Sequence, residues 1–219
     1  MTASQSPARP PADVPDKRTS APDAIPRGQL TRAVVADAAI AHIERSGIDQ
    51  LTMRSLASEL GAGTMTLYTH VRGRDDLLDA VVERLIAALD MAGVTTRTRD
   101  DWRAHLEAVL DAYRALAERF PRSFELLALA PYAEGAVAPH LAGAERALAE
   151  AGLGAENARA VLGVADAFAT GFLVVRARTV TRSGGADAAD RSHAAESFAR
   201  GVRAVIAGVE ETILGEQKG

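Results

Sequence analysis

Between positions 51 and 78 the chain reads LTMRSLASELGAGTMTLYTHVRGRDDLL, and no other stretch constrains the fold as strongly. Thr52 is of the type that caps a helix. Met53, Leu56, Ala57 and Leu60 follow at i, i+3, i+4 and i+7, the spacing of one helical face. Gly61 stops that helix. After Ala62 and Gly63, a second short helix would bury Leu67 and Val71 and present Thr64, Met65, Thr66, Tyr68, Thr69 and His70. Two short helices around a glycine turn are the pattern of a helix-turn-helix. Hydroxyls, an imidazole and a phenol bond phosphate oxygens or base edges, and a thioether touches a thymine methyl. A plain helical hairpin with solvated threonines has the same pattern.

The flanking chain reads as helix throughout. A first helix over 31–46 carries Val35, Ala38, Ala39, Ile40 and Ile43 on its apolar side, ends at Gly47, and braces the two short helices. His42 beside that stripe reads as a core or rim residue. A fourth helix over 74–92 opens with Asp75 and Asp76, where the helix dipole favours anions. A polar linker over 93–99 leads to helices over 102–120, 123–130 and 134–151, punctuated by Pro121, Pro131 and Pro139. Between Ala160 and Val175 only Asp166 is charged, so the helix over 155–178 is expected to be the most buried, and its apolar run is too short to span a membrane. After a loop over 183–190, the last helix over 194–214 bears a stripe of Phe198, Val202, Val205, Ile206, Val209 and Ile213 that something must cover.

Bulk composition agrees with an all-α chain. Hydrophobic residues make up 47% of 219 and aromatics only 4%, so the core must be built from small and branched aliphatics. With no cysteine, disulfides, thiolate metal sites and cysteine nucleophiles are excluded, as suits a cytoplasmic protein. The formal net charge of −4 argues against indiscriminate coating of nucleic acid. The segment from Arg27 to Arg74 nevertheless holds six arginines against four acids. Arg27 and Arg32 are candidate phosphate contacts. Residues 1–26 carry six of the nine prolines and no apolar run, so they read as a disordered tail with no signal peptide.

The helix-turn-helix, the helix before it and the Arg74-Asp75-Asp76-Leu77-Leu78 opening after it resemble the DNA-binding domain of the tetracycline-repressor (TetR) family, most specifically in Thr66-Leu67-Tyr68 and His70-Val71. Weaker similarity to the family's tetracycline-repressor class continues through Trp102, Tyr113, Glu156-Asn157-Ala158, Phe198, Gly201 and Gly208-Val209-Glu210. The resemblance implies a three-helix DNA-binding domain over 27–74, a connecting helix over 74–92, and a larger helical ligand-binding and dimerisation domain over 93–219. It implies a transcriptional repressor that binds an inverted-repeat DNA operator as a homodimer, uses no cofactor, does not contact membrane and is released by a small, largely apolar effector. DNA contacts would come from Arg54, Thr64, Met65, Thr66, Tyr68, Thr69, His70 and Arg74. Pocket candidates are Trp102, His105, Tyr113, Phe124, Asp166, Phe168 and Phe172, and dimer-interface candidates Phe198, Val202, Val205, Val209 and Ile213. The class's drug- and metal-holding residues are not found at the positions that match, so a tetracycline–magnesium effector is not expected. Met65, Thr69 and Gly63 depart from the tetracycline repressor's pattern, which leaves the operator sequence open.

Two other classes compete. His193 and Glu196 have the i, i+3 spacing of a metal pair in a helical-bundle metalloenzyme, although no further inward carboxylate pairs with them. A protein-interaction module that happens to contain three such helices is the other.

Overall fold

In a computed structural model that describes residues 30–98, 100–132 and 135–215, every regular element is a helix. Helix α1 (Arg32–Ser46) starts at Thr31, whose hydroxyl accepts from the Val34 amide, and ends at Gly47 with φ +85°. After a single 3-10 turn, Thr52 and Ser55 exchange backbone and side-chain bonds of 3.0 Å to cap α2 (Met53–Glu59). Gly61 takes φ +61°, and α3 (Thr64–Leu67) follows, continued by turns through His70. Val35, Ala39, Ile43, Leu56, Leu67 and Val71 make the shared core of these helices.

Helix α4 (Arg74–Ala87) closes the three-helix unit by packing along α1, with Leu77, Val81 and Leu85 inward. Three ion pairs lock that contact. Arg32 donates to Asp76 at 2.7 Å and to Glu83 at 3.1 Å, and Arg84 donates to Asp37 at 2.7 Å. Asp76 also accepts the Arg72 amide at 2.7 Å. That backbone bond, with the Arg32 guanidinium behind it, holds the Asp76 carboxyl below the usual carboxylate range.

The connecting helix stops at Ala87, short of the expected Ala92. Asp90 adopts a left-handed conformation, φ +47°, and its carboxylate caps a new helix, α5 (Met91–Arg97), which replaces the expected linker. Gly93 makes this possible, since a Cβ there would lie 2.3 Å from an Asp90 carboxylate oxygen. Five helices follow: α6 (Trp102–Arg119), α7 (Phe124–Ala128), α8 (Val137–Leu148), α9 (Ala155–Ser183) and α10 (Ala188–Val209). Pro139 is tolerated because it falls in the first turn of α8. Gly184 ends α9 in the left-handed region, one turn beyond the expected stop. The expected tail and Arg27 lie outside the described residues.

Two expectations about burial are corrected. Helix α9 packs on α6, α7, α8 and α10 but leaves a stripe of Ala160, Val164, Ala167, Gly171 and Val175 facing outward, with Val175 66% exposed. It is long and apolar enough to cross a membrane, yet its inward side is committed to this core. The apolar stripe of α10 points inward: Phe198, Val202, Ile206 and Val209 are buried, and Val205 and Ile213 pack against the core. Phe198 sits between Phe168 and Phe172, with ring centroids 5.5 and 5.2 Å away. Of the residues named for a dimer interface, Phe198, Val202 and Val209 are thus spent on the subunit's own core, where large side chains gain most from burial, while Val205 and Ile213 stay partly exposed. The small residues Ala204, Ala207 and Gly208 face outward.

Two glycines in helix interiors should respond oppositely to alanine. At Gly143 a Cβ meets nothing within 4 Å, so Gly143→Ala should stabilise by about 0.5–1 kcal/mol. At Gly201 a Cβ would fall 2.3 Å from the Phe168 ring, so Gly201→Ala should destabilise by about 1–3 kcal/mol despite the better propensity. Urea unfolding of both variants checks the signs.

Candidate nucleic-acid interface and enclosed cavity

The first site is the outer face of α2 and α3. Burying Leu67 and Val71 beneath α3 fixes which side faces out. Met65 is 79% exposed and Tyr68 45%, Thr66, Thr69 and Arg54 are exposed beside them, and Thr64 and His70 are half-buried. The Thr69 hydroxyl donates to the Thr66 carbonyl at 2.7 Å, which orients it and leaves its lone pairs outward. This gives a short exposed ridge of hydroxyls, one phenol, one thioether and one guanidinium.

Two arginines expected to touch phosphate have partners inside the protein. Arg32 is held by Asp76 and Glu83 as described. Arg74 donates to the Leu51 carbonyl and, at 3.1 Å, to the Ile48 carbonyl. It therefore ties the start of α4 to the turn before α2. Sequence spacing could not show these pairings, which bridge 23 to 51 positions along the chain. Arg54 has no such tie among the described bonds. His42 is buried and lies 2.7 Å from Glu59, an α1–α2 clasp that Arg45 shares.

The second site is a cavity between α6, α7, α8 and α9, about 40 Å³ in volume. Of the residues expected to line it, Tyr113, Phe124 and Asp166 do. Trp102 is buried elsewhere in the core. Phe168 stacks on Phe198, and Phe172 borders a separate hollow beside Arg114, Arg176 and Arg191. His105 faces α5, with its Nδ1 2.8 Å from the Thr98 hydroxyl. That hydroxyl already donates to the Val94 carbonyl, so His105 supplies the proton and its buried Nε2 is left without a partner among the described residues. The other polar wall residues, Tyr132, His140 and Thr170, were not picked out from the sequence, where Tyr132 and His140 each follow a proline and Thr170 stands in an apolar run.

Four of the cavity's polar groups form two pairs, beside the Thr170 hydroxyl. Tyr113 Oη and His140 Nε2 are 2.5 Å apart, and the Tyr132 hydroxyl donates to Asp166. Burial pushes the Tyr113 phenol up and the His140 imidazole down, so both stay neutral near pH 7. The Tyr132 phenol, bonded to the Asp166 carboxylate, is pushed up to about 12. Among the described residues the wall contains no Lys or Arg, and Asp166 is its one carboxylate.

The cavity and the reading face are joined by a side chain of α1. The Glu44 carboxylate accepts the Ser123 amide at 2.7 Å and the Arg122 amide at 3.2 Å, just ahead of α7. Arg122 in turn donates to the Arg45 carbonyl at 3.2 Å. Helix α7 carries Phe124 and Leu127 into the cavity wall, and α4 packs against α7 and α8 as well as α1.

Residues 35–81 match the family model for bacterial regulatory proteins of the tetR family. The chain is 36% identical over 96 residues to an HTH-type transcriptional repressor, DrrR1, of Streptomyces coeruleorubidus, covering 44% of this chain and 35% of that protein. It is 44% identical over 59 residues to the class D tetracycline repressor of Escherichia coli, covering 27% of each. The matches thus span well under half the length of these two relatives. A solved TetR from Acinetobacter baumannii AYE has the same fold, with a TM-score of 0.67 at 22% identity, covering 84% of this chain and 98% of that one.

Arg54→Ala is expected to weaken DNA binding with little change in unfolding free energy, whereas Arg74→Ala should lower stability by about 1–3 kcal/mol by stranding two carbonyls. Paired urea melts and fluorescence anisotropy separate the two. Acid should also destabilise the fold. Burial holds His105 and His140 below their ordinary value, so the unfolded chain binds more protons than the native one. Stability is then full above about pH 6.5 and falls as pH drops from there toward the lowered native values. The urea midpoint should fall between pH 7.5 and 5.5, and fall less in His105→Gln.

Proposed function

We propose that this chain, which belongs to the tetR family of bacterial regulatory proteins, is a ligand-released repressor that binds an inverted-repeat DNA operator as a homodimer. The observation that carries the reading is the α2–α3 ridge, where Arg54, Met65, Thr66, Tyr68 and Thr69 are exposed with Thr64 and His70 half-buried beside them. Arg54 offers a fork for guanine or phosphate, Tyr68 and Thr66 grip the backbone, and Met65 reaches for a thymine methyl.

Dimerisation would use the uncovered small-residue faces of α9 and α10. Val164, Gly171 and Val175 on one helix and Ala204, Ala207 and Gly208 on the other allow two copies to approach closely as a four-helix interface. A two-fold dimer places two α3 ridges on one side, about one DNA turn apart or slightly more.

The cavity between α6 and α9 is the effector site in this reading, and Glu44 with α4 forms the coupling. A ligand that displaces Phe124 or Leu127 moves α7, and α7 is bonded to α1 through Glu44. The reading heads then separate to a spacing that no longer fits successive grooves, a coupling typically worth ~1–3 kcal/mol. The nature of the regulated genes is independent of this geometry.

Sedimentation should show a dimer that Val175→Glu converts to monomer. On DNA flanking the chain's own gene, Tyr68→Ala should weaken binding by about 5- to 150-fold, the loss of a contact worth roughly 1–3 kcal/mol, with the dimer intact. Wild-type affinity in Tyr68→Ala would sink the assignment of this face. Glu44→Ala should speed hydrogen exchange at the Ser123 and Arg122 amides and weaken ligand release more than DNA affinity.

A further inference from the structure

Among the described residues the cavity wall is apolar except for two hydrogen-bonded pairs and the Thr170 hydroxyl, and Asp166 is its one ionisable acid. Tyr113 and His140 satisfy each other at 2.5 Å, so they demand nothing of a ligand. Asp166 is different. Its partner, the Tyr132 hydroxyl, sits on a side chain that is 57% exposed and reaches back from the start of the segment before α8. The Tyr132–Asp166 bond is charge-assisted, but its donor carries no charge and sits on an exposed side chain, so a ligand that brings a full positive charge can replace it.

The wall's charge decides what could replace it. An anion would be buried beside Asp166 with no lysine or arginine in the lining to offset it, a strongly unfavourable arrangement. A neutral molecule gains a hydrogen bond no stronger than the one Tyr132 already makes. An ammonium gains a charge-assisted bond to Asp166, and the aromatic rings of Tyr113, Tyr132 and Phe124 around the same space favour a cation further. The enclosed volume of about 40 Å³ is well below the roughly 150 Å³ that accommodates a benzene ring. A ligand therefore has to take the space that Tyr132 occupies.

We propose that this cavity receives a lipophilic monoamine whose ammonium pairs with Asp166 in place of the Tyr132 hydroxyl, its apolar frame lying among Leu106, Phe124, Leu127 and Leu173. The inference rests on the reading of this cavity as the effector site and adds the ligand class. Tyr132 acts as the internal competitor that keeps Asp166 satisfied when the cavity is empty. Its displacement opens the space through which the amine's frame reaches Phe124 and Leu127 of α7.

The test is calorimetric titration of the full-length protein with three molecules of one carbon frame: 4-phenylbutylamine, 4-phenylbutan-1-ol and 4-phenylbutyrate. The amine should bind at least tenfold tighter than the alcohol, and the carboxylate should not bind. Asp166→Asn, checked for folding by circular dichroism, should erase the amine's advantage. Tyr132→Phe should strengthen amine binding several-fold, because it removes the competing donor and keeps the ring. Equal binding of amine and alcohol, an amine preference that survives in Asp166→Asn, or no binding of any probe at millimolar concentration would each overturn the proposal. Anisotropy on operator DNA separates the two levels. An amine that binds at Asp166 without releasing DNA upholds the amine site and removes the effector reading. Release by the alcohol or carboxylate without amine binding does the reverse.

Discussion

Helix α4 is part of two cores, and the rest of the molecule is arranged around that. On one side it completes the three-helix unit, where Arg32 on α1 spans two of its turns through Asp76 and Glu83. On the other it packs against α7 and α8. Leu77, Val81 and Leu85 are almost fully buried, so α4 cannot shift against one neighbour without disturbing the other. Such an element transmits displacement because close-packed contacts change in steps and do not yield smoothly.

Electrostatics reinforce this division. Charges near the reading head are mostly spent on holding the head together: Arg32, Arg74, Arg84 and Arg45 all have partners within the protein. Few cations remain free for phosphate, in keeping with the net charge of −4. Binding of this kind depends on shape and on two heads acting together more than on bulk attraction. The cavity side follows the opposite rule, with a single carboxylate among apolar walls.

Local signals made the reading head legible in the sequence. Thr52 capping α2, Gly61 in the left-handed region and the spacing of Leu56, Leu60, Leu67 and Val71 all act within a few residues, so the pattern and the structure coincide. Long-range pairing was not legible. Arg74 and Arg32 look like phosphate contacts until partners 23 to 51 positions away are seen to claim them. The break after α4 was hidden because Asp90, a residue with a Cβ, adopts the conformation usually left to glycine. The α10 stripe misled for a simpler reason. An apolar face must be covered, but the period does not say by what, and Phe198, Val202 and Val209 are covered by their own subunit.

What remains outward on α9 and α10 is the small-residue face, and in the proposed dimer it would set, with the α2–α3 ridge, the symmetry of the DNA that is read. Selection of bound sequences from a random double-stranded library by the full-length protein tests this most directly. The account predicts enrichment of an inverted repeat whose half-site centres lie about one helical turn apart or slightly more. Enrichment of a single asymmetric site, or of no sequence at all, would contradict it.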